Sequence, residues 1–165
     1  MTRTPPVIPA PMPLINMADL RATLKRNQRL IGLDPGTKTI GVALSDVALM
    51  LATPTTPIPR GKLVLTAAHL TALATKEIAG GLVIGYPLSM DGTVGPAAQA
   101  ARDWALAISE ATNLPAALWD ERLSSAAVNR MLITELDITR KKRAALVDGM
   151  AAAYTLQAAL DATRP

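Results

Sequence analysis

Three carboxylate-bearing stretches stand out as groups that could do chemistry. Asp34 closes an aliphatic run, Leu30 to Leu33, and is followed at once by Pro35 and Gly36; Asp120 and Glu121 close a second such run; Asp148 lies in an alanine-rich segment. A carboxylate at the end of an apolar strand is costly to bury unless a cation meets it. Three acids on separate segments form an oxygen-only donor set of the kind that holds Mg2+ or Mn2+. Each also has a plainer reading. Asp34 taken alone is first a turn former ahead of Pro35, Asp120 and Glu121 can serve the start of a following helix, and Asp148 can face solvent. Asp148 shifts the balance. On a helix it shares a face with Ala144, Ala145, Ala151, Ala152 and Thr155, small residues that let a helix approach a sheet closely and carry the acid with it. With all three acids in view, metal ligation becomes the better reading of Asp34.

Other chemistries are narrowed by what the chain lacks. There is no cysteine, which removes disulfides, thiolate metal sites and cysteine nucleophiles. The one histidine, His69, sits in a helical stretch without an obvious serine or acid partner and reads as a surface residue. The formal charge of +4 and a pI near 9.8 suit a polyanionic partner, although solubility alone explains such a charge equally well. The basic residues concentrate at Arg140, Lys141, Lys142 and Arg143, with Arg21, Lys25 and Arg26 earlier, and these would hold a nucleic-acid backbone without reading its sequence. With no Phe, two Trp and two Tyr, base stacking is not expected to be the main source of affinity.

The elements that must position the acids follow from periodicity. Leu30 to Leu33 and Thr39 to Leu44 flank Pro35-Gly36 as a β-hairpin, and Met50 to Ile58 forms a third strand that Pro54 and Pro57 confine to an edge or a bulged path. Helix is expected over Leu63 to Ala79, ending before Gly80 and Gly81, then strand over Leu82 to Gly85 and a loop from Tyr86 to Pro96. The next helix runs from Pro96 or Ala97 to Glu110 with Ala101, Trp104, Ala105 and Ile108 on one face, and a strand follows from Ala116 to Glu121. Ser124 or Ser125 caps a helix carrying Val128, Met131, Leu132 and Leu136, and an alanine-rich helix covers about Lys141 to Asp161. Three early strands in meander connection followed by β-α-β crossovers give an α/β fold, a mixed five-stranded sheet with three antiparallel and then two parallel strands and helices on both faces.

Residues 1–27 read as a Pro-rich flexible tail with a short basic helix over Ile15 to Asn27, and 28–165 as one domain. No stretch is apolar enough for a membrane span, since the last helix is interrupted by Asp148 and Gln157.

Four motifs resemble the RuvX (YqgF) family in order and spacing: Asp34-Pro35-Gly36-Thr37-Lys38; Gly85-Tyr86-Pro87 with Met90-Asp91-Gly92; Asp120-Glu121-Arg122-Leu123-Ser124; and Asp148-Gly149-Met150-Ala151-Ala152. The likeness covers nearly all of Leu30 to Leu160. It departs at Tyr86 and Ser89, where the family has leucine and asparagine. The resemblance implies an RNase H-like fold and a bacterial, cytoplasmic, divalent-metal-dependent nuclease with Asp34, Glu121 and Asp148 as catalytic metal ligands for Mg2+ or Mn2+. Its substrates would be the 5′ end of pre-16S ribosomal RNA, or DNA Holliday junctions. If the sheet takes the order implied by this resemblance, the last strand lies two positions from the first and its acid must bridge roughly 10 Å. That favours the longer Glu121 over Asp120, whose side chain points to the opposite face.

Lys38 and Arg122 would steady phosphate charge beside those acids, Lys38 reading equally well as a solvated turn lysine. Ribosomal assembly intermediates and a monomeric or homodimeric state fit this picture. Two rivals come from other classes. A non-catalytic RNA-binding assembly factor would keep the acids for structure. An actin-like ATP-binding fold shares the strand-Asp-x-Gly-Thr pattern but needs a longer chain, and Lys38 does not directly follow a glycine as a P-loop lysine does.

Overall fold

The computed structural model describes residues 14–122 and 140–165, with the side chains of 140–148 excepted. The Pro-rich stretch before Leu14, the helix expected after Ser124 or Ser125, and the side chains of the basic run and of Asp148 lie outside the described residues.

The elements are α1 (Met17–Thr23), β1 (Arg29–Pro35), β2 (Thr39–Ser45), β3 (Ala52–Pro59), α2 (Leu63–Glu77), β4 (Ala79–Tyr86), α3 (Pro96–Thr112), β5 (Ala116–Asp120) and α4 (Arg140–Ala162). The five strands form one sheet in the order β3-β2-β1-β4-β5. β1 is antiparallel to β2 and β2 to β3, whereas β4 is parallel to both β1 and β5. The proline-bearing β3 occupies an edge, where its missing N–H donors break no ladder on the outer side.

Side-chain alternation divides the core in two. Ile31, Leu33, Leu82 and Ile84 pack under Leu70 of α2 and Ile108 of α3. Leu30, Val83 and Ala117 face the other way, against Met17 and Leu20 of α1 and Ala152, Leu156 and Leu160 of α4. The alanine stripe of α4 does bring the helix close. A methyl group added to Gly32 of β1 would lie 2.8 Å from Leu156 Cβ and 3.1 Å from the Ala152 carbonyl oxygen. Ala153, outside that stripe, is buried too, because α4 spans β1, β2 and β3 and needs a broad apolar front.

Several boundaries differ from the sequence reading. α2 stops at Glu77, with Ile78 as a left-handed cap at φ 54°. Gly80 and Gly81 belong to β4: Leu20 Cδ1 lies 2.6 Å from where a Gly81 Cβ would stand, so the glycine seats α1 on the sheet. β3 begins at Ala52, because Asp46 accepts hydrogen bonds from the Met50 and Leu51 amides at 2.7 and 3.1 Å and holds them in the preceding turn.

α1 is shorter than expected, and its Leu20 is fully buried. Arg21 is not left to solvent: its guanidinium donates to the Leu160 carbonyl at 3.2 Å and to Thr163 Oγ1 at 3.4 Å, across 139 and 142 residues of chain. A cation at the last carbonyls of a helix satisfies otherwise unpaired acceptors and complements the helix dipole.

Candidate active site

β1, β4 and β5 end level with one another. Leu33 pairs with Ile84, and Gly85 and Tyr86 pair with Trp119 and Asp120. The β1–β2 connection is closed by the Gly36 amide donating to the Thr39 carbonyl at 2.8 Å, which turns the chain immediately after Asp34. The Glu121 amide extends the β4–β5 ladder by donating to the Tyr86 carbonyl at 3.3 Å. Period-2 alternation then aims Asp34, Gly85 and Glu121 to the α1/α4 face of the sheet.

The central strand carries no side chain between the two acids. A Cβ at Gly85 would overlap Glu121 Oε2, lie 3.2 Å from Glu121 Cδ and stand 3.5 Å from Asp34 Oδ1. Glu121 therefore reaches over Gly85, and its carboxyl is hydrogen-bonded to Asp34. Burial pushes the Glu121 carboxyl up to about 8, helped by the negative charge of Asp34, by the hydrogen bond to it, and by Asp120. Burial and the neighbouring charge thus favour the protonated form of Glu121, hydrogen-bonded to Asp34. Two carboxyl groups driven together until they share a proton form a position that a divalent cation would relieve.

Asp120 is engaged by Arg122. Its carboxylate accepts from the Arg122 amide at 3.0 Å and from Arg122 Nε at 2.8 Å, and pairs with Nη2 at 2.6 Å. The Arg122 guanidinium beside it, first by hydrogen bond, holds the Asp120 carboxyl below the usual range against the opposing effect of burial. The fork geometry explains the choice of partner, and it commits Arg122 to Asp120. Lys38 stands exposed in the β1–β2 turn. Asp148 lies in α4 one helical turn before Ala152, the residue whose carbonyl meets Gly32. His69 is exposed on α2, away from the acids.

Three residues that sequence reasoning passed over join the site. Gly85 is the gap between the acids. Arg60, just beyond β3, donates from Nη1 to the Gly36 carbonyl at 2.8 Å and through its amide to the Lys38 carbonyl at 2.9 Å, which places a cation against the turn that follows Asp34. Trp104 of α3 lines a cavity of about 330 Å³ that Gly85 and Glu121 also line. The i, i+3, i+4, i+7 spacing of Ala97, Ala100, Ala101 and Trp104 was the available signal for that wall; nothing local marks Arg60.

β1 and β5 thus bring Asp34 and Glu121 together over β4 at one end of a mixed sheet. Residues 28–162 match the model of the RuvX family, described as Holliday junction resolvase, and the chain belongs to that family. It is 64% identical over 152 residues to a protein of Gluconacetobacter diazotrophicus named "Putative pre-16S rRNA nuclease", covering 92% of this chain and 99% of the relative. A protein of the same name from Acidiphilium cryptum is 63% identical over 150 residues, 91% of this chain and 94% of the other. Among solved structures, RuvC of T. thermophilus in complex with Holliday junction substrate matches with a TM-score of 0.47 and 15% identity, over 78% of this chain and 91% of that one.

Proposed function

We propose that the protein is a divalent-metal-dependent endonuclease that hydrolyses phosphodiester bonds in structured RNA, and that it matures the 5′ end of pre-16S ribosomal RNA. The observation that carries this reading is the meeting of Asp34 and Glu121 across the bare backbone of Gly85. The names of the closely similar relatives support the choice of RNA. The family description keeps branched DNA as the competing substrate.

Asp34 and Glu121, with Asp148 contributed from α4, would hold two Mg2+ ions, or Mn2+. Bound there, the ions supply an activated water for in-line attack and charge relief for the leaving 3′ oxygen. Glu121 would ligate as the carboxylate, giving its proton to solvent. Asp34 is fixed by the turn behind it and needs no rearrangement. Lys38 and Arg60, both on the turn side of the acids, neutralise the phosphate that enters. Arg140, Lys141, Lys142 and Arg143 hold the flanking backbone, while Arg122 orders Asp120 at the end of β5.

Labelled precursor RNA and a four-way DNA junction, each incubated with Mg2+ or with EDTA, test the proposal. The expected result is Mg2+-dependent cleavage of the RNA that Asp34→Asn abolishes. Cleavage surviving Asp34→Asn would sink the assignment of the acids, and cleavage of the junction alone would overturn the substrate. Metal-independent binding with no cleavage of either would leave an assembly factor.

A further inference from the structure

We propose that the cavity beside the acids is a subsite for one unpaired nucleobase, stacked on Trp104, so that the strand is read as single-stranded next to the bond that is cut. The proposal rests on the nuclease reading and names a property of the same site. At about 330 Å³ the cavity lies at the small end of ligand pockets and suits one base rather than a base pair.

Its walls are chemically divided. Along α3 the lining is Ala97, Ala100, Ala101 and the half-buried Trp104, an apolar wall with a single aromatic ring. The rest of the lining comes from the turn after β1, with Pro35 and Gly36, from Arg60, and from the acid site, with Gly85 and Glu121. A base has an apolar π-face for the α3 wall, and its phosphate matches the Arg60 cation. Arg60 uses one of the five N–H donors of a guanidinium on the Gly36 carbonyl. Gly85 and Glu121 belong both to the cavity and to the acid pair, so a base lodged there lies within a nucleotide of the scissile phosphate. The methyl faces of the alanines leave room that larger side chains at these positions would fill. Ala98, Ala105 and Ile108 on the adjoining part of α3 are buried in the core, and Trp104 packs against that core with one part of its ring while another lines the cavity.

The geometry assigns Trp104 a role in positioning substrate that its place on an amphipathic helix had hidden. Stacking of one base on an aromatic ring corresponds to roughly five- to 150-fold in affinity.

The test uses the full chain carrying Trp119→Phe, which leaves Trp104 as the sole indole, in EDTA so that no cleavage occurs. Its fluorescence is followed while a short single-stranded RNA is added, alongside the same RNA with abasic sites introduced one at a time, a blunt duplex, and adenosine monophosphate. Quenching is expected with the single strand, with affinity falling five- to 150-fold when one particular position is abasic; with an end-labelled RNA followed by anisotropy, the same fall is expected in Trp104→Leu and recovery in Trp104→Phe. The duplex and the monophosphate are expected to bind at least tenfold more weakly. Unquenched complexes, indifference to every abasic site, or a monophosphate as tight as the strand would each overturn the subsite. Because the abasic series alters only the RNA, a folding defect in a variant cannot mimic the result. The nuclease reading is judged separately by Mg2+-dependent cleavage and Asp34→Asn, so a protein that cuts without quenching loses only the subsite.

Discussion

Gly85→Ala tests whether the gap in β4 is what unites the acids. The added methyl overlaps Glu121 Oε2 and sits 3.2 Å from Glu121 Cδ, against the roughly 3.5–4.0 Å of a relaxed carbon contact. Asp34 Oδ1, at 3.5 Å, is barely touched. The Glu121 carboxyl is the far end of a flexible side chain, so it moves by about 1 Å and the backbone stays. A misplacement of that size costs on the order of 100-fold in rate, about 2.7 kcal/mol in the barrier. Stability should barely change, because alanine in a strand recovers roughly 0.5–1 kcal/mol of backbone entropy relative to glycine. Paired measurements decide: kcat/KM for Mg2+-dependent cleavage, and the thermal midpoint. The expected outcome is a fall of about 100-fold with a midpoint within roughly 4 °C of the parent. Activity within threefold of the parent would refute the gap, and a midpoint lowered by 10 °C or more would show that the backbone, and not Glu121, had to give.

Three further outcomes follow from the same geometry. In metal-free protein the raised Glu121 carboxyl makes the native state hold a proton that the unfolded chain releases, so its contribution to stability is intact below about pH 4.5 and is lost as pH rises toward 8. The loss is about 2 kcal/mol once solvent screening at the half-open site is allowed for, and urea unfolding of the parent and of Glu121→Gln at pH 5 and 8.5 should show it only in the parent. Asp120→Asn breaks an ion pair that is about one-third exposed on each side, so it should cost less than about 1 kcal/mol and leave cleavage within threefold, whereas Glu121→Gln should lower cleavage at least 100-fold. Gly32→Ala forces Leu156 Cβ and the Ala152 carbonyl away from β1 and should cost about 1–3 kcal/mol by overpacking, read as a lower urea midpoint with an unchanged slope.

Much of this architecture is legible locally. Pro54 and Pro57 assign β3 to an edge because a residue without an N–H cannot sit in a two-sided ladder, and β3 is at the edge. Pairing Glu121 rather than Asp120 with Asp34 follows from strand spacing and side-chain length, and the two acids do meet over β4. What escaped were features made by long-range contact. Gly80 and Gly81 look like a helix stop because glycine reads the same whether it ends a helix or seats a distant leucine. Arg21 looks solvated because the carbonyl it serves is 139 residues away. Arg60 and Gly85 matter for what lies beside them in space, and no period in the sequence encodes that. Trp104 satisfies an amphipathic pattern while lining a cavity, so burial and ligand contact leave the same trace.

The clasp of Arg21 on the end of α4 also orders events in time. α1 is made among the first of the described elements, yet the side chains and carbonyl that receive it, Leu156 and Leu160 among them, come last. On a chain synthesised from its N-terminus, the buried face of Met17 and Leu20 stays uncovered until nearly the whole sheet has assembled. α1 then docks on β4 and β5 once the sheet is complete, and the clasp of Arg21 on the Leu160 carbonyl is the last of its contacts to form.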